Sequence, residues 1–332
     1  ICSGLVGSEM CIRDSCHSDH HFMTGYYAAT LPIVPGHESA GVVEAVGSAV
    51  TRVAVGDHVI TCMSVSCGAC RLCTTGRPHL CQDAGADRSP EDPPRLQRAG
   101  ERIDQLYHLS SYAERLLVDE RAVVTIRDDM PLDRAALIGC AVMTGYGAVA
   151  NTAEVETGAS VAIIGCGGIG LSAVLGAVAA GADPIIAVDV IGEKLALARE
   201  FGATHVVDAS TADATVAVRE IAPRGVDYAF EAIGRKETVE QAFAMLGVGG
   251  TAVVIGMVPE GETVEVEAAA LLDERTRTGS NMGSNDFRVD MPMLVDRYMD
   301  GSLPLDRLIS KRVPLDDINE AFADMLAGSV AR

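Results

Sequence analysis

The hydrophobic pattern of the chain changes character once. Up to about residue 140 the apolar positions come in short runs, 42–46, 53–55 and 59–61, broken by turns at Gly47 and Gly56-Asp57. That spacing predicts short strands. Residues 83–104 are polar and interrupted by Pro90, Pro93 and Pro94, and are expected to form a surface loop. From about Ser160 strands alternate with helices. Residues 161–164, 185–188, 205–207, 226–230 and 251–255 are short apolar or β-branched runs, and 169–180, 193–201 and 237–246 between them read as helices. Such alternation predicts a parallel sheet with crossover helices, an α/β fold. Beyond Met282 it stops, and 290–299 and 316–327 are expected to be amphipathic helices.

Composition narrows the classes. A chain of 332 residues suggests about two domains. With 48% hydrophobic and 22% charged residues it is globular rather than disordered. The net charge of −20 gives no electrostatic footprint for nucleic acid or an anionic membrane. No apolar run approaches the ~20 residues needed to span a bilayer. The most hydrophobic stretch, 163–182, holds six glycines and reads as strand, turn and helix. The first fifteen residues lack the basic and apolar regions of a secretion signal, so a cytoplasmic location is expected.

The string Gly165-Cys166-Gly167-Gly168-Ile169-Gly170 follows an apolar strand and opens an apolar helix. In that context it is a dinucleotide loop. Gly165 permits the tight turn, Gly167 lets backbone approach a pyrophosphate, and Gly170 allows close helix–strand packing. Asp189 lies nineteen residues beyond Gly170, where an acid binds the ribose hydroxyls. No arginine follows it directly, so NAD is favoured over NADP. Lys194 is placed to face the adenosine ribose.

Of ten cysteines, Cys67, Cys70, Cys73 and Cys81 crowd into one segment. Four thiolates are a complete tetrahedral shell for a structural zinc. An iron–sulfur cluster is the main rival for C-x2-C-x2-C spacing, but no proline follows the fourth cysteine and the context is not that of a ferredoxin. A catalytic zinc instead needs three ligands and an open position. Outside the cluster the candidates are Cys16, His37 and Cys140.

Their neighbourhoods carry a family resemblance. Cys16-His17-Ser18-Asp19, then Gly36-His37-Glu38-Ser39-Ala40-Gly41-Val42-Val43, then Gly139-Cys140-Ala141-Val142-Met143-Thr144-Gly145-Tyr146-Gly147 appear in order with Gly56-Asp57-His58-Val59, the cysteine lobe and the dinucleotide loop. Residues 16–332 resemble the zinc-containing medium-chain alcohol dehydrogenases. The resemblance implies a GroES-like β-rich catalytic domain over 1–141 and 284–332, with the structural-zinc lobe at 67–81, and a Rossmann NAD-binding domain over 142–283. It implies a catalytic zinc on Cys16, His37 and Cys140, beside Glu38, with Asp19 supporting the ligand histidine. Ser18 matches the hydroxyl that takes the alcohol proton, and His21 the end of the proton relay. His17 and Arg332 match positions at the cofactor phosphate, and Thr144 and Ile169 residues around the nicotinamide. The expected activity is NAD-dependent interconversion of an alcohol with an aldehyde or ketone, using two zinc ions, in a homodimer or homotetramer. The segment after Cys81 and the Thr144 region resemble the branch holding thiol-adduct formaldehyde dehydrogenases and aryl-alcohol dehydrogenases, so an S-hydroxymethyl thiol is the alternative substrate. An inactive zinc-stabilised NAD-binding protein is the alternative of another class.

Residues 1–15 depart from the family. Ser8-Glu9-Met10-Cys11-Ile12-Arg13-Asp14 resembles translated sequencing-adapter text. The expectation is that this tract replaced a genuine N-terminus and supplies no strand to support Cys16.

Overall fold

The computed structural model describes residues 5–7, 11–12, 17–83, 85 and 91–327. They fall into two compact units, one with residues up to Cys140 and from Asp286 onward, the other Ala141–Asn285.

In the first unit the strands are β1 (Leu5–Gly7), β2 (Cys11–Ile12), β3 (Ile33–Val34), β4 (Ser39–Val46), β5 (His58–Thr61), β6 (Leu96–Arg98), β7 (Glu101–Gln105), β8 (Leu117–Val118) and β9 (Val123–Ile126). The main sheet runs β8-β1-β4-β5-β9, and β2 also pairs with β4. These pairs are antiparallel, and Val43, Val59, Leu109, Leu116, Val118 and Val123 form the core beneath them. A smaller sheet orders β3-β7-β6.

Three expectations are corrected here. The first-fifteen-residue tract supplies two strands, β1 and β2, both paired with β4. Residues 53–55 form a turn instead of a strand. The Asp57 carboxylate accepts the Ala54 N–H at 2.9 Å, and Gly56 N–H donates to Val43 at 2.9 Å, so the segment folds back on β4 and leaves Val55 exposed. Residues 83–104 are not all loop, because β6 and β7 close a hairpin over Ala99 and Gly100. Both turn residues have positive φ, 51° and 85°, the geometry a two-residue hairpin turn requires.

In the second unit β10 (Val161–Ile164), β11 (Ile185–Asp189), β12 (His205–Asp208), β13 (Val226–Glu231), β14 (Leu246–Val254) and β15 (Thr276–Gly279) form one parallel sheet in the order β12-β11-β10-β13-β14-β15. This is the α/β Rossmann architecture expected from the alternation. Every residue of β10 and β11 is buried, as strands covered on both faces must be. The helix expected over 237–246 ends at Ala244, because Leu246 already opens β14. A further crossover helix, Ala214–Ile221, is capped by the Asp213 carboxylate accepting Val216 N–H at 2.9 Å.

A continuous helical run, Leu132–Thr152, corrects the expectation about apolar length. Its 21 residues are apolar enough to cross a membrane, yet its most apolar window is 83% buried inside the protein. It is a core helix, with two π-helical segments at Ile138–Val142 and Ala148–Thr152.

Candidate active site

His37 and Glu38 enter the first unit just ahead of β4. Gly36 makes that entry possible. Its φ is +95°, and a Cβ there would sit 2.6 Å from the Tyr112 backbone nitrogen. Only glycine fits such a turn against a neighbouring chain. His37 and Glu38 are 2% and 1% exposed. The helix His17–Met23 delivers Asp19 beside them. Asp19 is fully buried, accepts Gly36 N–H at 2.7 Å through Oδ1, and holds Oδ2 3.0 Å from His37 Nδ1.

Cys140 comes from the Leu132–Thr152 run, about a hundred residues away. Gly139 lets that helix close on β5: a Cβ there would lie 3.2 Å from the Thr61 carbonyl oxygen. Cys140 is 5% exposed. The ligand atoms of His37, Glu38 and Cys140 all lie within 4.8 Å of one another. One imidazole, one thiol and one carboxylate, buried together, form a donor set suited to zinc.

Ser18 and His21 lie three residues apart on the His17–Met23 helix, a spacing that puts both on one face. The His21 ring stacks on Tyr26 at 4.4 Å, and Tyr26 is 44% exposed. Cys16 and Arg332 lie outside the described residues. His17 is the first residue of the helix.

The cysteine lobe is built from a short helix, Arg71–Thr74, and a turn, Pro78–Leu80. Cys70 Sγ lies 3.5 Å from Cys73 Sγ and 3.9 Å from Cys81 Sγ, and Cys67 Sγ lies 3.9 Å from Cys73 Sγ. All four sulfurs fall within 4.8 Å of one another. The backbone N–H groups of Ala69 and Cys70 point at Cys67 and hold its thiol down at about 6. Desolvation, followed by the contact with Cys70, pushes Cys73 up to about 12. Four sulfurs this close together make a complete soft shell, so the donor set fits a metal. Cys62, by contrast, is a packed side chain whose thiol burial pushes up to about 11.

In the second unit the glycine loop has the geometry a dinucleotide needs. Gly165 has φ +93°, and a Cβ on it would lie 2.6 Å from Ile233 Cγ1. A Cβ on Gly170 would collide with the Gly165 carbonyl oxygen. A Cβ on Gly167 would meet nothing within 4 Å, so space is open where the Gly168–Ala180 helix begins and backbone N–H groups are unpaired within the helix. Asp189 accepts Cys166 N–H at 2.7 Å on Oδ2, and Val190 and Ile191 N–H at 2.7 and 3.0 Å on Oδ1. The acid therefore also ties the loop to β11, a role its position in the sequence did not announce. Lys194 lies on the Gly192–Glu200 helix, half-buried and close enough to Cys166 to act on its thiol. Thr144 is buried, its Oγ1 3.4 Å from Met282 Sδ, and Ile169 is half-buried at the start of the loop helix.

Sequence reasoning missed the aromatic side chains around His37. Tyr107 meets the His37 ring edge to face at 5.6 Å, Phe22 meets Tyr107 likewise at 5.5 Å, and Tyr112 reaches Asp19. No motif or spacing links these residues, which converge only in the fold.

Two families match the chain: the alcohol dehydrogenase GroES-like domain over residues 12–128, and the zinc-binding dehydrogenase family over 168–296. The protein described as "Probable S-(hydroxymethyl)glutathione dehydrogenase 1" of Schizosaccharomyces pombe is 36% identical over 324 residues, covering 96% of this chain and 86% of that protein. Among solved structures, an alcohol dehydrogenase zinc-binding domain protein from Burkholderia ambifaria superposes with a TM-score of 0.93 at 36% identity. It covers 99% of this chain and 90% of that one. Benzyl alcohol dehydrogenase from Acinetobacter calcoaceticus superposes with a TM-score of 0.91 at 33% identity, again over 99% and 90%. The chain belongs to the zinc-binding alcohol dehydrogenase family and is an oxidoreductase with a GroES-like domain and a Rossmann domain.

Proposed function

We propose that this chain oxidises a primary or secondary alcohol with NAD as acceptor, and runs the reverse reduction, using two zinc ions per subunit. The observation that carries the reading is the buried convergence of His37, Glu38 and Cys140 with Asp19 behind the histidine. Cys16, His37 and Cys140 would hold the catalytic ion, and Cys67, Cys70, Cys73 and Cys81 the structural one. The catalytic zinc, when bound, supplies Lewis acidity toward the substrate oxygen. NAD, when bound, supplies the hydride acceptor.

The chain's own residues do the rest. Asp19 at Nδ1 fixes the His37 tautomer and leaves Nε2 for the metal. Ser18 accepts the alcohol proton, and His21, on the same helical face and stacked on exposed Tyr26, passes it outward. Burial of His37, Glu38 and Cys140 keeps water from the reacting centre. The backbone around Gly167 receives the pyrophosphate, with Asp189 and Lys194 on the adenosine ribose and Thr144 and Ile169 beside the nicotinamide. Asp189 supports NAD over NADP, since its carboxylate repels a 2′-phosphate.

The curated relative favours a second reading, in which the substrate is an S-hydroxymethyl thiol. A homodimer, or a tetramer built from it, is part of the proposal. It is supported by β15 at the end of the parallel sheet and by Leu272, 87% exposed, just before it. A cytoplasmic setting is part of the proposal, since four thiols clustered within one short segment suit a metal rather than disulfides.

The test is NAD reduction over a panel of aliphatic and aryl alcohols, and with formaldehyde plus glutathione or another thiol. Turnover with simple alcohols supports the first reading. A preference of tenfold or more for formaldehyde that appears only with thiol replaces it with the second. NAD binding without turnover on any of these would overturn both.

A further inference from the structure

We propose that Tyr112 is a positioning residue for the catalytic metal site, acting on His37 through Asp19. The inference rests on the reading of His37 and Cys140 as zinc ligands.

The Asp19 carboxylate is fully buried and gathers donors from two sides. Gly36 N–H reaches Oδ1 at 2.7 Å, whereas His37 Nδ1 at 3.0 Å and the Tyr112 hydroxyl at 3.2 Å share Oδ2. With only the backbone contact and the imidazole, the carboxylate plane could follow the ring as it turns. The tyrosine hydroxyl, arriving from a segment 93 residues away, fixes the plane. A fixed carboxylate fixes the imidazole, and a fixed imidazole sets the ligand direction.

Tyr112 is itself held. Its ring packs edge to face on Phe322 at 5.8 Å, and its N–H donates to the Pro35 carbonyl at 3.2 Å. Ser111 N–H donates to Gly36 O at 2.9 Å, and Ser110 Oγ to Val34 O at 2.7 Å. Residues 110–112 therefore grip 34–36, immediately before His37. The same strap carries Tyr107 against the His37 ring at 5.6 Å. Along it Tyr107, His108 and Ser110 have φ of 52°, 63° and 57°. Three non-glycine residues in the left-handed region within four positions are held there by surrounding contacts, a pattern that collects at functional sites. The strap thus touches the histidine twice: on its ring through Tyr107 and behind it through Tyr112 and Asp19.

The test follows zinc transfer from the full chain to an excess of a coloured chelator. The unmodified protein should release zinc in two phases, and the phase missing from Cys140→Ser belongs to the His37 site. Tyr112→Phe keeps the ring on Phe322 and removes only the hydroxyl. It should speed that phase by about tenfold or more, with the lobe phase and Tm unchanged. In an Asp19→Asn background the same substitution should have no further effect. Unchanged release in Tyr112→Phe, or equal acceleration in both backgrounds, would overturn the inference. A single phase that survives in Cys140→Ser would instead sink the two-zinc reading, and the inference with it.

Discussion

The two donor groups of the first unit that we propose as metal sites solve one problem by opposite means. The lobe takes four sulfurs from residues 67–81, on a one-turn helix and a tight turn, and none of the four is buried. The His37 group takes its atoms from the entry to β4 and from a helix a hundred residues on, all but sealed from solvent. A lobe closed by local turns has little else to hold it, so on this proposal a bound metal is part of its fold. The dispersed group is held by the packing of a sheet, two helices and a strap, so its fold does not need the metal. Breaking the first should cost stability, and breaking the second should cost chemistry.

Cys140→Ser tests the second half most sharply. The change is nearly isosteric, so Tm should move by no more than a few degrees. Activity should fall by about 10³-fold or more, because the Lewis acid is worth several kcal/mol at ~1.4 kcal/mol per tenfold. Retained activity would break the comparison. Cys73→Ser is the converse. Zinc content should drop by one ion, the unit should lose about 3 kcal/mol, and turnover per folded molecule should stay within a few-fold. Calorimetry beside elemental analysis reads both.

Thiol chemistry sharpens the contrast further. In metal-stripped protein Cys67 is half-exposed and lies in a lobe that loosens when its ion leaves. Cys62 and Cys166 are buried, with thiols pushed up to about 11 and about 12 by desolvation, and Cys140 is 5% exposed. Alkylation followed by mass spectrometry should mark Cys67 at least about 10²-fold faster than these three. Labelling of Cys140 first would show the dispersed site to be the open one.

The same division governs what could be read from the sequence. The convergence of the lobe is legible because its sulfurs are neighbours in the chain, and the glycine loop because strand, turn, helix and acid fall within thirty residues. The dispersed group is legible only through resemblance, since nothing local at His37 points to Cys140. Tyr107 and Tyr112 are invisible because their contacts close over 70 to 93 residues. The hairpin of β6 and β7 hides in a polar, proline-interrupted segment, since exposed strands carry little apolar pattern. The Leu132–Thr152 helix is masked by Gly139, Gly145 and Gly147, which depress helix propensity. Each is there because something lies against it: Gly139 meets β5, Gly145 meets the Gly168–Ala180 helix, and Gly147 meets Gly283. The Ala214–Ile221 helix is masked by its β-branched Thr215, Val216 and Val218.

The smallest effect concerns what stands behind the lobe. Asp119 accepts Arg121 Nε and a terminal guanidinium nitrogen at 2.9 Å each, and Arg121 N–H at 2.9 Å. Burial alone would raise the Asp119 carboxyl, but the Arg121 contacts outweigh it and hold it below the ordinary carboxylate range. The pair keeps a guanidinium near Cys67, as Asp19 keeps an imidazole near Cys140. A carboxyl depressed on folding lends stability that is complete above the unfolded value, about pH 4, and is lost as pH falls through the lower folded value. Asp119→Asn should therefore cost about 1 kcal/mol at pH 7, discounted for the partly exposed arginine. Its Tm curve should merge with that of the unmodified protein as pH drops below about 4. A gap that does not narrow at all as pH falls below about 4 would mean Asp119 acts by shape rather than charge, and that the lobe needs no cation behind it.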